Sequence, residues 1–505
     1  MSALHIEAQV AVIGAGAMGA GIAQVAAQAG HAVRLYDNRP GAAAQAIDGI
    51  ARQLARLVDK GKLNACERES TVARLQPAES LEALADATLV IEAIVEDLDI
   101  KQQLLRQLEA LCAETCILAS NTSSLSITRL AAGLARPERV IGMHFFNPAP
   151  LMALVEVVSG LATEPAVADT LYDTAKAWGK QPVHARSTPG FIVNRVARPF
   201  YAESLRLLQE GAADCASLDA LLREAGGFRM GAFELTDLIG HDVNYAVTCS
   251  VFDAYYGDLR FQPSQVQKEM VAAGRLGRKS GQGFYDYREG AERPQPAELR
   301  SSAEVTRCVV EGDLGVMQPL LQRLSASGVE LTQRAGQGLL RIGDATLALS
   351  DGRLASQRAR DDGLQNLVLI DLALDYSSAT RIAITWARNT TIEARDQAVA
   401  LLQRAGFNVS ALADLPGLAV LRTVAMLANE AADAVLQGVA SAADIDLAMC
   451  AGVNYPLGPL AWAERIGLAH TLHTLEHLQQ AYGEERYRPS LLLRRTHAEG
   501  GRLHD

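Results

Sequence analysis

Residues 14–19 form a glycine-rich segment. The six residues are Gly14, Ala15, Gly16, Ala17, Met18 and Gly19. This GxGxxG pattern follows an apolar run at 10–13 and opens an alanine-rich helical segment, the context in which such glycines bind a diphosphate. The first glycine allows the tight turn, the second lets the backbone approach a pyrophosphate, and the third lets the helix pack on the strand. The free N–H groups and the dipole of the helix N-terminus favour the negative charge.

Asp37 follows Gly14 by 23 residues, at the end of the next predicted strand. A carboxylate at this position accepts hydrogen bonds from the 2′-hydroxyl of a ribose and repels a 2′-phosphate. The sequence therefore predicts NAD as the cofactor in preference to NADP, although Arg39 nearby weakens that preference. The alternative is a tight turn that binds no ligand.

His144 lies at the carboxyl end of a predicted strand, the edge at which open α/β sheets bind ligands. Glu156 follows 12 residues later inside the apolar run 154–158, where a carboxylate is costly to bury unless it is paired. An imidazole held by a carboxylate has a fixed tautomer and a raised basicity, which suits a general base near neutral pH. Two alternatives stay open: a structural histidine at 144, and an edge or solvent-facing carboxylate at 156.

Polar side chains in two places are candidates for holding a substrate oxygen. The first place is the segment NTSS, which follows another predicted strand and offers the amide of Asn121 and the hydroxyls of Thr122, Ser123 and Ser124. The alternative for this segment is an N-cap of the next helix, which Ser126 suits equally well. Asn194 lies one turn into a predicted helix with apolar neighbours, and either caps locally or points into a cleft.

Alternating strands and helices must position these residues. Strands are predicted at 10–13, 31–36, 87–94, 116–119, 140–144 and 154–158, and helices at 19–29, 98–111 and 127–135. This alternation predicts a doubly wound parallel sheet. Further helices are predicted at 191–209, 217–224, 233–256 and 262–273, and a linker at 288–300. Strands at 338–342, 345–349, 367–370 and 382–386 and a helix at 399–404 indicate a small α/β region.

The helical region is repeated at an offset of 227 residues. The matching pairs are Gly190 and Gly417, Arg195 and Arg422, Glu203 and Glu430, Gly211 and Gly438, Asp219 and Asp446, Gly231 and Gly458, Asp237 and Glu464, and Gly240 and Gly467. No gap is needed over about 50 residues. Asn194 is replaced by Leu421 in the second copy, which favours a function for Asn194 beyond structure.

Composition excludes several other classes of protein. The 505 residues suffice for roughly three domains, and the net charge of −11 argues against nucleic acid or an anionic membrane as the main partner. Seven cysteines without a CxxC or metal-ligand spacing predict reduced thiols, a cytoplasmic location and no metal site. The amino terminus lacks the basic segment of a signal peptide, and we expect no membrane span.

Six motifs in the first half of the chain resemble those of one known family. GAGAMGAGIA, NTSSLSI, MHFFNPAP, LVEVVSG, TPGFIVNR and GRKSGQGFYDY occur in this order over residues 8–287. Together they resemble the L-3-hydroxyacyl-CoA dehydrogenases. GVNYPLGPLAWAE and YGEERYRP narrow the resemblance to the long bacterial form with a duplicated C-terminal domain, which is linked to aerobic phenylacetate catabolism. The resemblance implies NAD-dependent oxidation of an (S)-3-hydroxyacyl-CoA, here 3-hydroxyadipyl-CoA. The alternative is 3-hydroxybutyryl-CoA or general fatty-acid β-oxidation.

The resemblance also implies a role for individual residues. It makes His144 the catalytic base and Glu156 its partner, while Ser123 and Asn194 hold the 3-oxygen of the substrate. It implies Glu96 and Lys101 near the nicotinamide ribose, and Ser123, Asn147 and Lys279 as further cofactor-binding residues. Without the family, the charges at positions 96, 101 and 279 are expected to be solvated.

The predicted organisation has four parts. Residues 1–187 form a Rossmann-type NAD-binding domain, 188–290 a helical domain, 291–400 a linker with a small α/β region, and 401–505 a degenerate second helical copy. The predicted fold class is a doubly wound sheet followed by duplicated all-α domains, with the acyl-CoA between sheet and helices. In single-copy relatives the helical domain mediates dimerisation, so the protein is either a homo-oligomer or a monomer with an internal pseudo-dimer.

Two rival functions remain. A β-hydroxyacid dehydrogenase acting on a free acid resembles this fold but typically uses a catalytic lysine after the sheet domain, where this sequence has Asn194 and no lysine. A non-catalytic NAD-binding scaffold would not need the intact pair of His144 and Glu156.

Overall fold

Eight strands of the amino-terminal half form one sheet in the computed structural model, which describes residues 2–505. The strands are β1 (Val10–Ile13), β2 (Val33–Tyr36), β3 (Leu75–Pro77), β4 (Leu89–Glu92), β5 (Ile117–Ser120), β6 (Val140–Phe145), β7 (Leu154–Ser159) and β8 (Gln181–Arg186). Their order is β3-β2-β1-β4-β5-β6-β7-β8. Strands β1 to β6 are parallel, whereas β7 pairs antiparallel with β6 and parallel with β8. The predicted parallel sheet is confirmed for five of its six predicted strands, whereas the sixth, β7, runs antiparallel to β6. Strands β3 and β8 were not predicted.

Six helices connect these strands. They are α1 (Ala17–Gln28), α2 (Ala42–Asp59), α3 (Ala65–Ala73), α4 (Leu98–Leu111), α5 (Ile127–Ala131) and α6 (Pro165–Ala177). Every residue of β1, β4 and β5 is buried, as expected for parallel strands covered on both faces. Helix α4 begins where the Asp97 side chain accepts a hydrogen bond from the N–H of Ile100 at 3.0 Å. This cap fixes the start of the helix that carries Lys101.

The chain then becomes helical, as predicted. The helices are α7 (Val193–Val196), α8 (Arg198–Gln209), α9 (Cys215–Glu224), α10 (Ala232–Ile239), α11 (His241–Ala254) and α12 (Gln265–Ala272). The single helix predicted at 191–209 is divided between α7 and α8. Pro199 lies at the second position of α8, where its missing N–H and fixed φ suit the first turn of a new helix.

A second sheet of seven strands follows, so the predicted fold class, a doubly wound sheet followed by all-α domains, is only partly right. Four of the seven strands lie where strands of a small α/β region were predicted. The elements are β9 (Arg307–Glu311), α13 (Leu320–Ala326), β10 (Glu330–Arg334), β11 (Leu339–Ile342), β12 (Ala345–Leu349), α14 (Ala355–Asp361), β13 (Leu367–Ile370), β14 (Arg381–Trp386), α15 (Ile392–Arg404) and β15 (Asn408–Ala411). The strand order is β10-β9-β11-β12-β13-β14-β15. The sequence missed β10 because this edge strand is mostly exposed and polar, so it lacks a buried-strand pattern.

The duplication is longer than the helical repeat indicated. Adding 227 to the bounds of β7 and α6 gives the bounds of β14 and α15. In both sheets the same strand pairs antiparallel with its predecessor and parallel with its successor. The second half of the chain therefore repeats part of the first sheet as well as the helices.

The second helical copy completes the chain. Its helices are α16 (Val420–Leu436), α17 (Ala442–Val453), α18 (Pro459–Ile466), α19 (Leu468–Tyr482) and α20 (Leu491–Glu499). Helix α16 packs on α8, its counterpart in the first copy. Arg422 is completely buried there and binds Glu203 at 2.7 Å, Glu210 at 2.8 Å and the Tyr487 hydroxyl at 2.7 Å. The two copies are thus joined by a buried ionic cluster.

Helix α17 of the second copy belongs to the compact unit that contains the first sheet. That unit comprises residues up to Arg195 together with 437–453, and the second unit comprises 196–436 and 454–505. Helix α17 packs against β7 and β8, and the N–H of Arg186 donates to the carbonyl of Val439 at 2.8 Å. A Cβ on Gly452 would lie 2.5 Å from a terminal methyl of Leu154, so α17 packs closely on β7 at this glycine. The second copy thereby completes the first sheet's packing.

Replacing Arg422 with methionine should lower the free energy of unfolding by about 3–5 kcal/mol, because it removes one partner from a buried ionic cluster. Urea denaturation of the full chain measures this change. The control is Arg494→Met, which removes an exposed ion pair with Glu476 and should cost at most about 1 kcal/mol. Equal, small changes in both variants would contradict the assignment of a structural role to the cluster.

Candidate active site

The glycine-rich segment forms the turn between β1 and α1. Gly14 has a φ of +102°, and a Cβ there would lie 2.5 Å from the carbonyl oxygen of Ala93. A Cβ on Gly19 would lie 1.7 Å from the carbonyl oxygen of Gly14, so the helix touches the turn. A Cβ on Gly16 would meet nothing within 4 Å. The backbone is therefore open at the one glycine predicted to face the pyrophosphate.

Asp37 follows the end of β2 and forms a hydrogen bond with the backbone of this turn. Its carboxylate accepts hydrogen bonds from the N–H of Ala15 at 2.8 Å and from the N–H of Arg39 at 3.0 Å. The Arg39 guanidinium also donates to Asp37 at 2.9 Å. That hydrogen bond is the main reason that the pKa of Asp37 is lowered to about 2. Asp37 therefore stays ionised and can accept hydrogen bonds at any physiological pH.

A cavity of about 580 Å³ adjoins the glycine turn and Asp37. Gly14, Gly16 and Asp37 line it on one side, and Ile94 and Leu104 on the other. An apolar slot beside a carboxylate and an open glycine backbone fits the adenosine half of a dinucleotide. The residues present thus fit NAD.

Lys101 is buried, against the expectation of a solvated charge. Its ammonium group lies 2.8 and 2.9 Å from the two carboxylate oxygens of Glu92, at the end of β4, and 3.4 Å from Glu96. The side chains of Lys101 and Glu92 are 1% and 0% exposed. Ser120 also donates to Glu92. Sequence reasoning missed Glu92, and the only signal was a glutamate at the end of the apolar run LVIE.

Glu96 holds the segment NTSS. One of its oxygens accepts from the Thr122 hydroxyl at 2.6 Å and from the N–H groups of Ser123 and Ser124 at 3.0 and 3.2 Å. Burial opposes ionisation of Glu96, but the Thr122 hydrogen bond and the charge of Lys101 together lower its pKa. Its carboxylate is therefore an anionic anchor for the loop that carries Ser123.

His144 and Glu156 face each other across the antiparallel pair β6 and β7. Their Nδ1 and Oε2 atoms are 2.6 Å apart, and both residues are buried. Phe146 and Phe191 pack on the imidazole with ring centroids at 4.5 and 5.9 Å. With Nδ1–H donating to the carboxylate, Nε2 carries the lone pair. The structure thus joins the two residues that sequence spacing proposed as partners.

The second oxygen of Glu156 ties this pair to the turn before α7. It accepts from the N–H groups of Ile192 and Val193, both at 3.0 Å. Phe191, just before them, has a φ of +48°, a left-handed conformation that is uncommon for a non-glycine residue. Glu156 therefore satisfies the start of the helix that carries Asn194.

Asn194 and Ser123 come together, whereas Asn121 has a structural position. The Asn194 side-chain amide donates to the carbonyl of Ser123 at 3.4 Å. The Asn121 side chain accepts from the N–H of Phe145 at 2.8 Å and so fixes the end of β6. Ser126, and not the NTSS segment, caps α5 by accepting from the N–H of Arg129. The alternative of an N-cap therefore applies to Ser126 alone.

Asn147 and Lys279 are the remaining predicted cofactor residues. Asn147 is exposed and precedes Pro148 through a cis peptide bond. Lys279 belongs to the second compact unit. Its ammonium group binds Asp242 at 2.7 Å, and its side chain is 44% exposed. For both residues the role beside the cofactor stays a prediction.

The second half of the chain does not repeat the contact between a histidine and a glutamate. Adding 227 to the positions of His144, Glu156 and Asn194 gives Asp371, Ala383 and Leu421. Asp371 accepts hydrogen bonds from the N–H groups of Ala419, Val420 and Leu421 at 2.8–3.0 Å, which correspond to residues 192–194 of the first half. Burial raises the pKa of Asp371 to about 6. The second half therefore keeps a carboxylate at the turn without an imidazole beside it.

Residues 2–505 contain neither a metal-binding cluster nor a membrane-spanning helix. In that range no group of three or more His, Cys, Asp or Glu side chains is arranged to hold a metal ion. No helix formed by these residues is both long and apolar enough to cross a membrane.

Three family models match the chain. The NAD-binding domain of 3-hydroxyacyl-CoA dehydrogenase matches residues 9–188, and its C-terminal domain matches 190–287 and again 417–504. A reduced Rossmann-fold domain described for 3-hydroxybutyryl-CoA dehydrogenase matches 347–416. A 3-hydroxyadipyl-CoA dehydrogenase of Escherichia coli K12 is 48% identical over 96% of both chains. The chain belongs to the 3-hydroxyacyl-CoA dehydrogenase family.

Other relatives of this dehydrogenase cover the whole chain or its first half. A crystal structure from Escherichia coli K12, described as 3-hydroxybutyryl-CoA dehydrogenase, is 47% identical, has a TM-score of 0.90 and covers 98% of this chain and 99% of its own. A probable 3-hydroxybutyryl-CoA dehydrogenase of Bacillus subtilis is 43% identical and covers 56% of this chain and 98% of its own length.

The comparisons confirm the predicted family, the oxidoreductase class and NAD as the cofactor of this dehydrogenase. Membership of the family also argues against the rival prediction, a β-hydroxyacid dehydrogenase that acts on a free acid. The roles of individual site residues are untested by these comparisons and stay predictions.

Replacing Asp37 with alanine should raise the KM for NADH about 10–100-fold, because charge-assisted hydrogen bonds of about 1.5–3 kcal/mol to the ribose are lost. The KM for NADPH should fall relative to that for NADH, since Arg39 is released from Asp37. Initial rates with acetoacetyl-CoA measure both constants. Asp48→Ala, on the exposed face of α2, is the control. An unchanged KM for NADH would refute the placement of the ribose at Asp37.

Proposed function

We propose that this dehydrogenase oxidises (S)-3-hydroxyadipyl-CoA to 3-oxoadipyl-CoA through a dyad of His144 and Glu156. The observation that carries the mechanism is the 2.6 Å contact between His144 Nδ1 and Glu156 Oε2. It leaves Nε2 with a lone pair directed away from the carboxylate. A buried imidazole in this state is suited to take a proton from a substrate hydroxyl.

The proton step then follows from the geometry of the pair. His144 Nε2 takes the proton of the 3-hydroxyl, and the imidazolium formed donates its Nδ1–H to the Glu156 carboxylate. The fixed carboxylate stabilises the new positive charge without reorganisation. Bound NAD⁺ supplies the acceptor for the hydride that leaves C3. In the reverse direction, His144 returns the proton to the developing alkoxide.

Ser123 and Asn194 hold the 3-oxygen of the substrate in this proposal. Their support is the contact between the Asn194 amide and the Ser123 carbonyl, together with the loss of the amide at Leu421 in the half that lacks the dyad. Glu96 positions Ser123 through its N–H.

The nicotinamide side of the site is assigned by the same proposal. Glu96 and Lys101 contact the nicotinamide ribose, and the buried contact of Lys101 with Glu92 fixes the start of α4. Asn147 and Lys279 are further cofactor contacts that the family motifs imply.

The dicarboxylic substrate is favoured because the relative named 3-hydroxyadipyl-CoA dehydrogenase covers 96% of this chain and shares its duplicated architecture. 3-Hydroxybutyryl-CoA is the second candidate, because the full-length crystal structure is described by that substrate. General β-oxidation of fatty acyl-CoA is the broader form of this alternative.

The setting of the enzyme is part of the proposal. We infer a cytoplasmic location from the seven cysteines, all of them free thiols. The packing of α16 on α8 supports an internal pseudo-dimer formed by residues 188–290 and 401–505, and residues 291–400 connect them.

Replacing Glu156 with glutamine should lower kcat about 10²–10⁴-fold. The amide oxygen still accepts from Ile192 and Val193, but the amide N–H₂ faces Nδ1 and forces the proton onto Nε2, which can no longer act as a base. His144→Ala should cause a similar loss. Stopped-flow rates with acetoacetyl-CoA measure kcat, and NADH fluorescence titration should show unchanged binding.

The matched control is His184→Ala, because the His184 side chain is 43% exposed. His184 pairs with Val157 in β8, so its side chain lies on the opposite face of the sheet from Glu156. A full rate in Glu156→Gln would refute the dyad. Full activity in His144→Ala would refute His144 as the base. If the wild-type protein binds NADH but reduces neither 3-oxoadipyl-CoA nor acetoacetyl-CoA, the alternative of a non-catalytic NAD-binding scaffold would be supported.

The substrate is tested by NADH oxidation with 3-oxoadipyl-CoA and with acetoacetyl-CoA. We expect kcat/KM to be at least about tenfold higher for the dicarboxylic substrate, which corresponds to one charge-assisted hydrogen bond. Equal or better use of acetoacetyl-CoA would keep the enzyme class and replace the proposed substrate by 3-hydroxybutyryl-CoA.

A further inference from the structure

Four arginines and the start of one helix meet at a cavity of about 220 Å³ in the second compact unit. The arginines are Arg198, Arg206, Arg260 and Arg486, and the helix is α12. Every residue that lines the cavity belongs to the second unit, so the cavity is formed within one compact body. Among residues 2–505, no aspartate or glutamate lines it. The side chains around this cavity are therefore cationic or neutral.

Arg198 is buried without an opposite charge. It is 5% exposed, its Nη1 donates to the hydroxyl of Thr248 at 3.1 Å, and its guanidinium lies 4.9 Å from the ring centroid of Tyr201. Within residues 2–505 no carboxylate forms an ion pair with it, and its Nε donates to no acceptor. Burial lowers the pKa of Arg198, and only the nearby tyrosines oppose this effect. A guanidinium in these surroundings is costly to bury unless an anion binds it.

The duplicated helix shows that packing alone does not require this cation. Adding 227 to the positions of Arg198 and Arg206 gives Ala425 and Asp433 on α16. Ala425 is completely buried. The same position of the repeated helix is thus packed by a small apolar side chain in the second copy. An arginine buried there in the first copy therefore indicates a binding function.

Helix α12 begins at the same cavity. Ser264 is its N-cap residue, but the Ser264 side chain accepts no hydrogen bond from the first turn of the helix. Its hydroxyl is buried without a hydrogen-bond partner in the described part of the chain. Ser264 and Gln265 both line the cavity. The N–H groups of an uncapped first turn and the helix dipole favour an anion at this place.

Two of the paired arginines add further donors. Arg206 binds Glu203, and Arg260 binds Glu430 at 3.0 Å, so both charges are neutralised. Nη2 of Arg206 and Nε of Arg260 nevertheless find no acceptor among residues 2–505. Buried donors without acceptors are rare in native proteins. Their presence on side chains that surround one cavity indicates that a ligand supplies the acceptors.

We propose that this cavity binds a small oxyanion. Arg198 supplies the uncompensated charge, and the Ser264 hydroxyl and the start of α12 supply donors from a second element. A guanidinium binds carboxylates and phosphates through paired hydrogen bonds, and a helix N-terminus binds both groups as well. The ligand is therefore either the free phosphate ion or the carboxylate of a small organic acid. This inference concerns the second unit alone and does not depend on the proposed substrate.

Isothermal titration calorimetry of the full chain with inorganic phosphate and, separately, with acetate tests the site. Saturating NADH is present so that the glycine turn is occupied, and sodium chloride of matched ionic strength is the reference. We expect a Kd of about 1 mM or tighter for at least one of the two oxyanions. The anion with the lower Kd identifies the site as one for phosphates or for carboxylates.

Three variants assign the binding to this cavity. Arg198→Met keeps the length of the side chain and removes its charge, and should raise the Kd at least about tenfold. Arg198→Lys keeps a charge without the paired hydrogen bonds and should raise the Kd less. Ser264→Ala removes one donor and should raise the Kd about 3–10-fold. Arg494→Met, which removes an exposed ion pair with Glu476, is the control and should bind like the wild type.

Thermal unfolding gives a second measurement. The bound oxyanion should raise the melting temperature of the wild type and of Arg494→Met, and not that of Arg198→Met. Without it, Arg198→Met should melt no lower than the wild type, because an unpaired buried charge has been removed.

Two results would overturn the proposal directly. They are the absence of binding by both oxyanions in the wild type, and an equal Kd in the wild type and in Arg198→Met. If Arg198→Met does not fold, Ser264→Ala decides the question, because an unchanged Kd in that variant would place any binding outside this cavity.

Discussion

The buried carboxylate of Glu156 is the interaction on which the rest of the site depends. A charge with no exposure to solvent requires partners on both oxygens. One oxygen binds His144 across the strand pair, and the other binds the N–H groups of Ile192 and Val193. The same ion therefore orients the proposed base, closes the antiparallel pair and starts the helix that carries Asn194. The proposed proton transfer and the packing of these elements therefore depend on the same hydrogen bonds.

Much of the fold could be predicted because its local signals are strong. The glycine turn, the buried strands and the 227-residue repeat are continuous patterns in the sequence. Two missed features depend on distant packing: edge strand β10 is polar, and the repeat of β7 in β14 keeps its position while its sequence changes from LVEVVS to RIAITW. Pro199 divides a predicted helix and is a local signal that the prediction of one helix over 191–209 did not use. Strands β3, β8, β9 and β15 were also not predicted.

Some contacts in the candidate site could also be predicted from the sequence, and others could not. His144 and Glu156 were paired correctly because a carboxylate in an apolar strand needs a partner. Lys101 was expected in solvent without the family, since its position in an amphipathic helix does not reveal that Glu92 ends a neighbouring strand beside it.

The carboxylate of Asp371 shows that this turn needs an anion whether or not an imidazole lies beside it. The N–H groups at 419–421 require an acceptor, because their burial does not depend on any substrate. Asp371 supplies it from the position that the histidine holds in the first half, while alanine stands at the position of the glutamate. In the second half the anion therefore comes from the opposite strand of the pair. Packing of the turn alone is enough reason for a buried carboxylate to be present at this place in both halves.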